Sequence, residues 1–117
     1  MTAIDDIAAE RRRQILEEGW TPEHDDDHAR GELAFAAAVY AINSAEPHDQ
    51  IELQVEHRGF KLRVGWAAVS TLLWPWHRNW WKPSNRRRDL VKAGALIVAE
   101  IERLDRIVRG ETRGGKT

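Results

Sequence analysis

The chain has 117 residues, of which 42% are hydrophobic, so it can form one domain with a modest core. It contains no cysteine, which excludes a disulfide framework and any thiolate metal site and fits a reducing cytoplasm. The net charge of −1 is the sum of two opposite halves: residues 1–56 carry 14 Asp/Glu and four Lys/Arg (−10), and residues 57–117 carry five and 14 (+9). The acidic start lacks the apolar run of a signal peptide, and no apolar run is long enough to span a bilayer, so we expect a cytoplasmic protein without a membrane partner.

Helix signals dominate the acidic half. Thr2 begins a capping-box pattern ahead of apolar residues at helical spacing, which predicts a first helix over residues 3–18. Thr21 and Pro22 then combine a hydroxyl cap with a proline at the first helical position. Apolar periodicity continues far beyond this second start, so we predict a second helix over residues 22–43, polar in its first turns and buried in its last.

In the middle of the chain the apolar period changes from helical to two. Alternating residues over 51–64, with a short glycine-containing loop between them, predict a β-hairpin that is apolar on one face. Because an isolated hairpin is marginally stable, its apolar face should rest on a helix or on another subunit. A short apolar stretch over residues 66–74 follows, long enough for one or two helical turns and ended by Pro75.

The last predicted helix runs over residues 85–109 and begins with Ser84 as its cap. Its apolar positions alternate three and four apart, as in a coiled-coil seam: Leu90, Gly94, Ile97, Ile101, Leu104 and Val108. Residues 110–117 are polar and glycine-rich, which predicts a flexible tail. The predicted fold is therefore a mainly α single domain over residues 1–109, with three principal helices and a hairpin insertion, assembled as a homo-oligomer through the last helix or the hairpin.

The second predicted helix carries a ladder of candidate metal ligands. His24, His28 and Glu32 recur four apart on one face, and two imidazoles with a carboxylate can hold zinc or another divalent ion. Asp25 or Asp27 would then position water in a metal-dependent hydrolase. The pattern has no general base between its histidines, and the helix dipole alone favours acids at a helix start. A solvated acidic turn and an acidic partner surface are therefore competing interpretations.

Four of the six tryptophans fall between positions 74 and 81, in a segment that two prolines bracket. This segment cannot be one regular helix, and we interpret it as an ordered aromatic loop. It adjoins a run of bases at the start of the last helix, where positive charge opposes the helix dipole. Guanidinium groups at a helix start can hold a phosphate, and an indole face can stack on a nucleobase. The candidate ligand-binding residues are Trp76, Trp80, Trp81, Lys82, Arg86, Arg87 and Arg88.

The competing interpretation of the same residues is structural. The four tryptophans would fill a small core, and the arginines would pair with acids of the first half, at residues 17–18 and 25–27. General nucleic-acid binding is disfavoured because the acidic half would repel phosphates. No serine lies in a nucleophile-elbow pattern. The sequence therefore favours binding over catalysis, and it indicates no cofactor.

Several short strings carry a resemblance in combination. They are EGWTPEHDDDH at residues 18–28, GELA at 31–34 with Tyr40-Ala41, WPW at 74–76, WKP at 81–83 and RDLVKAGAL at 88–96. Together they resemble a family of small proteins encoded by bacteriophages and prophages, over most of residues 10–106. The chain departs from that family in its hairpin, which looks like an expansion. The resemblance implies action in the cytoplasm of a bacterial host and a role in phage–host conflict, and it supplies no catalytic residues.

We therefore predict a phage-encoded, non-catalytic protein that sequesters a small anionic ligand, such as a nucleotide signal of host immunity. The alternatives are the metal-dependent hydrolase and an accessory protein that binds a host protein through its oppositely charged halves. Whether the charged residues serve binding or only hold the fold together depends on where the acidic and basic regions lie in the structure. If the acidic and basic regions meet within the fold, the asymmetry is internal; if they lie apart, each is a free surface.

Overall fold

The computed structural model describes residues 2–110 of the chain. Over this range the protein is mainly helical with one antiparallel two-stranded hairpin, as predicted, but it has five α-helices where three principal helices were expected. In chain order, the elements are α1 (Ala3–Leu16), α2 (Pro22–Asp26), α3 (Glu32–Asn43), β1 (Glu52–His57), β2 (Phe60–Gly65), α4 (Trp66–Leu73) and α5 (Arg86–Val108). No helix in the described range is both long and apolar enough to cross a membrane. The predicted tail over 110–117 lies outside the described residues, Gly110 apart.

Local capping determines where the first and last helices begin. Thr2 Oγ1 accepts a hydrogen bond from the Asp5 backbone N–H (3.1 Å), and the Asp5 carboxylate accepts one from the Thr2 N–H (3.0 Å), so the predicted capping box is present. α5 begins one residue later than predicted. Its cap is Asn85 rather than Ser84, because the Asn85 side chain accepts the hydrogen bond from the Arg88 N–H (2.9 Å).

The prediction of one helix over residues 22–43 is wrong. α2 ends at Asp26, and α3 begins only at Glu32. Gly31, immediately before α3, has φ +84°, a left-handed conformation that a residue with a Cβ rarely adopts and that cannot continue a right-handed helix. Thr21 and Pro22 therefore begin a helix of only five residues, and the apolar periodicity belongs to α3 alone.

α3 and α5 form the centre of the molecule and run antiparallel. The amide of Asn43, at the end of α3, donates to the buried Asp89 carboxylate near the start of α5 (3.2 Å). Small residues on the facing sides let the two helices approach closely, and large aromatic side chains complete the core. The buried core residues lie on α3, α4, α5 and the loop after α4; they are Leu33, Ala36, Ala37, Val39, Tyr40, Trp66, Val69, Trp74, Ala93, Leu96 and Ala99.

α1 packs against this core largely through polar side chains. Glu10, Arg11 and Gln14 are 2%, 6% and 2% exposed, although none of them is apolar. Glu10 accepts hydrogen bonds from Arg13, Gln14 and, from α5, Arg88. A buried charge is tolerated only where partners satisfy it, so these contacts fix the position of α1 on α5.

Many opposite charges of the two halves meet inside the fold. Arg87 and Arg88 of α5 pair with Asp6 and Glu10 of α1. Further along α5, Arg106 donates to Asp26 of α2 (2.8 Å). Residues of the basic half thus neutralise acids of the first half, and much of the charge asymmetry in the sequence is internal.

The hairpin has the predicted strands, paired from Glu52 with Gly65 to His57 with Phe60. Val64, at the base of its apolar face, packs against the core, but the described part of the chain leaves the rest of that face uncovered, so the hairpin rests on the helices less than expected. Four large apolar side chains are between 44% and 73% exposed: Leu53, Val55, Phe60 and Leu62. The radius of gyration, 16.1 Å, exceeds the roughly 13 Å of a compact chain of this length, in keeping with a projecting hairpin.

Substituting Gly94→Val tests the packing of α1 on α5. A Cβ at Gly94 would lie 2.8 Å from Ile7 Cδ1 and 3.0 Å from Ile7 Cγ1. Because valine favours the helical conformation more than glycine does, any loss of stability in Gly94→Val comes from the steric clash with Ile7. We expect the free energy of unfolding in urea to fall by about 1–3 kcal/mol. Adding Ile7→Ala should restore part of the loss, whereas purely additive effects would contradict close packing at this point.

Substituting Glu10→Gln tests the buried charge network by pH. Burial raises the pKa of Glu10, but hydrogen bonds from Arg13 and the charge of Arg88 outweigh it and hold this pKa below its ordinary 4.5. Ionised Glu10 therefore stabilises the fold above that value, and the contribution is lost as pH falls through the lower folded-state pKa. We expect Glu10→Gln to lower the free energy of unfolding by about 3 kcal/mol at pH 7.

In acid the difference between Glu10→Gln and the wild type should narrow, as measured by urea unfolding between pH 7 and pH 3. Glu17→Gln is the matched control on α1, because the Glu17 side chain is 67% exposed and should change stability little. If the difference in the free energy of unfolding between the two proteins stays constant over this pH range, the charge of Glu10 does not stabilise the fold.

Candidate functional site

An aromatic cleft brings together several indole, imidazole and carboxylate side chains. It lies where the turn between α1 and α2 meets the loop after α4, and its volume is about 320 Å³. Seven residues line it: Glu18, Trp20, His24, His28, Trp76, His77 and Trp80. We call this set the aromatic cleft.

Three indole rings form the walls of the aromatic cleft. The Trp20 ring centroid lies 5.7 Å from that of Trp76 and 6.4 Å from that of Trp80, and both pairs are tilted by about 50°. The ring centroids of His28 and Trp76 lie 5.1 Å apart. Those of His24 and His28 lie 4.8 Å apart, with the two rings edge-on. The cleft therefore offers aromatic faces in several orientations to a planar or cationic group.

Backbone contacts hold the α1–α2 side of the cleft. The Trp20 N–H donates to the Gln14 carbonyl (2.9 Å), and the Trp20 carbonyl accepts from Arg11 (3.2 Å). Arg11 also donates to the buried Asp25 carboxylate (2.8 Å). Burial raises the pKa of Asp25 although the adjacent Arg11 charge lowers it. The buried Arg11–Asp25 pair thus connects α1, Trp20 and α2.

The loop after α4 holds the opposite wall. The Trp74 indole N–H donates to the His77 carbonyl (3.2 Å), and His77 Nδ1 accepts from the Asn79 N–H (3.1 Å), which forms a short 3₁₀ turn over Arg78–Trp80. Trp74 is 6% exposed, whereas Trp80 is 43% exposed. One loop therefore anchors itself in the core and presents Trp80 at the cleft.

Two polar atoms of cleft residues lack a hydrogen-bond partner among the described residues. Trp76 Nε1 and His28 Nε2 are buried without a hydrogen bond. A buried polar group without a partner costs about 1–3 kcal/mol, so such groups are uncommon unless a site uses them. His28 Nδ1 lies 3.4 Å from the Glu32 carboxylate, which favours the proton on Nδ1 and leaves Nε2 as an acceptor. The cleft thus carries an unused donor beside an unused acceptor.

Positive charge lies at the Trp80 edge of the aromatic cleft. Lys82 Nζ is 5.6 Å from the Trp80 ring centroid and 4.0 Å from the Glu18 carboxylate. A smaller cavity adjoins the cleft and shares Glu18, Trp20 and Trp80 with it. Lys82, Lys92 and Arg13 also line this cavity. Burial, reinforced by the Arg88 charge, lowers the pKa of Lys92. Aromatic faces and ammonium groups are therefore adjacent at this edge.

The predicted ligand-binding residues fall into three groups. Trp76 and Trp80 line the aromatic cleft, and Lys82 borders it. Trp81 instead packs in the aromatic part of the core, 4.7 Å from Tyr40 and 5.0 Å from Trp74 between ring centroids. The tryptophan segment thus serves both interpretations: one part fills the core and the other forms the walls of a cleft.

The structure does not bring the three arginines to the aromatic cleft. Arg86 donates to the Ser44 carbonyl (2.9 Å) and lies near Glu46, while Arg87 and Arg88 pair with acids of α1. Their partners differ from the acids at residues 17–18 and 25–27 that the structural interpretation expects. The buried α1 carboxylates require positive partners, and the start of α5 supplies them.

The candidate metal ligands do not form the predicted ladder. Because α2 ends at Asp26, His24, His28 and Glu32 no longer share one helical face. They still contact one another through His28, whose ring centroid lies 4.8 Å from that of His24 and whose Nδ1 lies 3.4 Å from Glu32 Oε2. Among residues 2–110, no group of three or more His, Cys, Asp or Glu side chains is placed to hold a metal ion.

Glu18, Trp20 and His77 line the aromatic cleft but were not among the predicted ligand-binding residues. The sequence indicates Glu18 only as a possible partner of the arginines and Trp20 only as part of the string at residues 18–28. His77 lies between the candidate tryptophans and could have been found from that position. The contact between the two segments is tertiary, so neither pattern indicates the other.

No protein-family model matches the chain, and neither a curated protein nor a solved structure matches it significantly.

Substituting Tyr40→Phe tests what holds the Trp81–Lys82 segment at the cleft edge. The Lys82 backbone N–H donates to the buried Tyr40 hydroxyl (3.2 Å), and burial raises the pKa of that hydroxyl. We expect the free energy of unfolding to fall by about 1 kcal/mol, because one hydrogen bond is lost without a change in ring packing. Thr71→Val, which removes an exposed hydroxyl, is the control and should cost less. Equal losses would mean that the Tyr40 hydroxyl has no special role.

Proposed function

We propose that this chain is a non-catalytic binding protein whose aromatic cleft takes a small ligand with a planar ring and an anionic group, of the nucleotide class. The observation that carries the proposal is the convergence of three indoles from two separate segments next to the Lys82 ammonium. Stacking on aromatic side chains contributes about 1–3 kcal/mol per base. A phosphate at the edge of the cleft would be attracted by Lys82.

The unpartnered atoms support a ligand with a polar ring edge. Trp76 Nε1 is a donor only, and the contact of His28 with Glu32 leaves His28 Nε2 as an acceptor. A nucleobase presents both an acceptor and a donor along one edge, so it could satisfy both atoms after a small opening of the wall. An apolar ring would leave both atoms without partners.

Glu18 sets a condition on where the anionic group can bind. Its carboxylate lines the cleft and would repel a phosphate, but it receives a hydrogen bond from Arg13 (3.0 Å) and lies 4.0 Å from Lys82. These two cations offset its charge. The anionic group would therefore bind on the Lys82 side of Trp80.

The wider setting of the proposal comes from the resemblance to small bacteriophage and prophage proteins. The string at residues 18–28 includes Glu18, Trp20, His24 and His28, which are four of the seven cleft residues. We propose that the protein acts in the cytoplasm of a bacterial host and sequesters a nucleotide signal of host immunity. We also propose that it is a homo-oligomer, since the hairpin and α5 expose large apolar side chains.

Titration of the full chain with ADP-ribose, a cyclic dinucleotide and AMP tests the proposal. Stacking on Trp76 and Trp80 should change the tryptophan fluorescence in a saturable way for at least one probe. Calorimetry then gives the affinity of each variant without relying on the removed fluorophore. No saturable response from any of the three probes would overturn the nucleotide-class proposal and favour a host-protein partner.

Three variants locate the bound probe. Trp80→Ala should weaken binding about tenfold or more, because an exposed stacking face is lost. Lys82→Ala should weaken it several-fold and reduce its salt dependence. Arg87→Ala is the matched control, since Arg87 is a cation paired with Asp6 away from the cleft and should leave affinity unchanged. Loss with Arg87→Ala but not with Lys82→Ala would place the ligand at the arginine run instead.

A further inference from the structure

The outer face of α5 is an apolar stripe. Five large side chains on it are between 48% and 87% exposed: Leu90, Ile97, Ile101, Leu104 and Val108. The opposite face packs on the core, where Leu96 and Ala99 are 0% and 1% exposed. The helix is thus apolar on the side that faces solvent as well as on the buried side. No contact among the described residues covers these five exposed side chains fully.

The spacing of the outer stripe is that of a coiled-coil seam. From Leu90 through Gly94 to Val108 the positions advance by four, three, four, three and four residues, which keeps them on one side of the helix over about 27 Å. A single apolar helix face buried against an irregular surface needs no such strict repeat. The strict repeat is the pattern that a second helix of the same kind requires.

The seam also matches itself in reverse. When two copies of α5 lie antiparallel about residue 99, Leu90 faces Val108 of the partner subunit, and Ile97 faces Ile101 of the partner subunit. Leu104 of the partner subunit then faces Gly94 and the Ile7 side chain of α1 that packs on it. In a two-fold pair every contact occurs twice, so the whole stripe is covered without a charged residue in the seam.

The charges at the two ends favour this antiparallel orientation. The side chains of Arg86 and Arg87 are about two-thirds exposed at the amino end of α5. Antiparallel pairing about residue 99 places them just past the last helical residue of the other helix, Val108 of the partner subunit, where the dipole is negative. Parallel pairing would bring four of these arginines together at two positive helix starts. Charge complementarity therefore selects an antiparallel second copy as the occupant.

We infer that two copies of this chain associate through the outer stripe of α5, with the two helices antiparallel. This interface lies on the solvent side of α5, whereas the aromatic cleft is formed by the α1–α2 turn and the loop after α4 of one chain. Failure of the dimer would therefore leave the ligand proposal standing, and the reverse also holds.

Sedimentation of the full chain at micromolar concentration tests the association. The wild type should be a dimer, and the double substitution Ile97→Glu with Ile101→Glu should make it monomeric with unchanged helix content, because both side chains are already half exposed in the monomer. Leu72→Glu is the matched control on α4, where Leu72 is 79% exposed, and it should remain dimeric. A monomeric wild type would overturn the inference.

Substitution on the hairpin separates the two exposed apolar surfaces. Leu62→Glu should leave the dimer intact, since Leu62 lies on the hairpin and not on α5. A dimer that Leu62→Glu dissociates and that survives the double substitution on α5 would assign the interface to the hairpin and contradict our inference.

Cross-linking reads the orientation directly, because the natural chain has no cysteine. Two single-cysteine variants, Leu90→Cys and Val108→Cys, are oxidised alone and as a mixture. The antiparallel arrangement predicts a disulfide-linked dimer that forms efficiently only in the mixture and joins one variant to the other. Efficient dimers of each variant alone would show parallel pairing and overturn the proposed orientation.

Discussion

The position of α1 depends on two neighbouring buried charges of opposite sign, Glu10 and Arg11. Neither can lie in the interior alone, because removing an ion from water costs several kcal/mol unless partners compensate it. Glu10 finds Arg88 on α5, and Arg11 finds Asp25 on α2. These contacts require α1 to lie in one register against α5 and draw the short α2 against α1. The turn that carries Trp20 is placed as a consequence.

This arrangement determines which charges remain for a ligand. A core with many alanines between α3 and α5 leaves little apolar surface for α1, so polar contacts take over that role. The arginine run at the start of α5 contributes to them through Arg87 and Arg88. Lys82 stands outside this network except for its approach to Glu18. The charge available at the aromatic cleft is therefore a lysine next to Trp80, and the conspicuous arginine cluster is mainly structural.

The local features of the fold could be predicted from the sequence. The Thr2 capping box, the hairpin and the long last helix each depend on residues within a few positions of one another, and each lies within one or two residues of its predicted place. The break at Gly31 could not be predicted, because the start signal at Thr21 and Pro22 and the apolar periodicity of α3 fit a single helix and glycine is tolerated inside helices. The candidate site was predicted in part: Trp76 and Trp80 line the cleft, but Trp20 and Glu18 come from a segment more than fifty residues away.

The sequence by itself determined the element types, the opposite charges of the two halves, and the presence of an aromatic segment beside bases. Only the tertiary structure decided which acid meets which base, and thereby which tryptophans fill the core and which line a cleft. The physical reason is that periodicity and capping act over a few residues. Ion pairs such as Arg88 with Glu10 and Arg106 with Asp26 join positions about eighty residues apart. Each half of the chain offers many possible partners of one sign, so packing decides which of them meet.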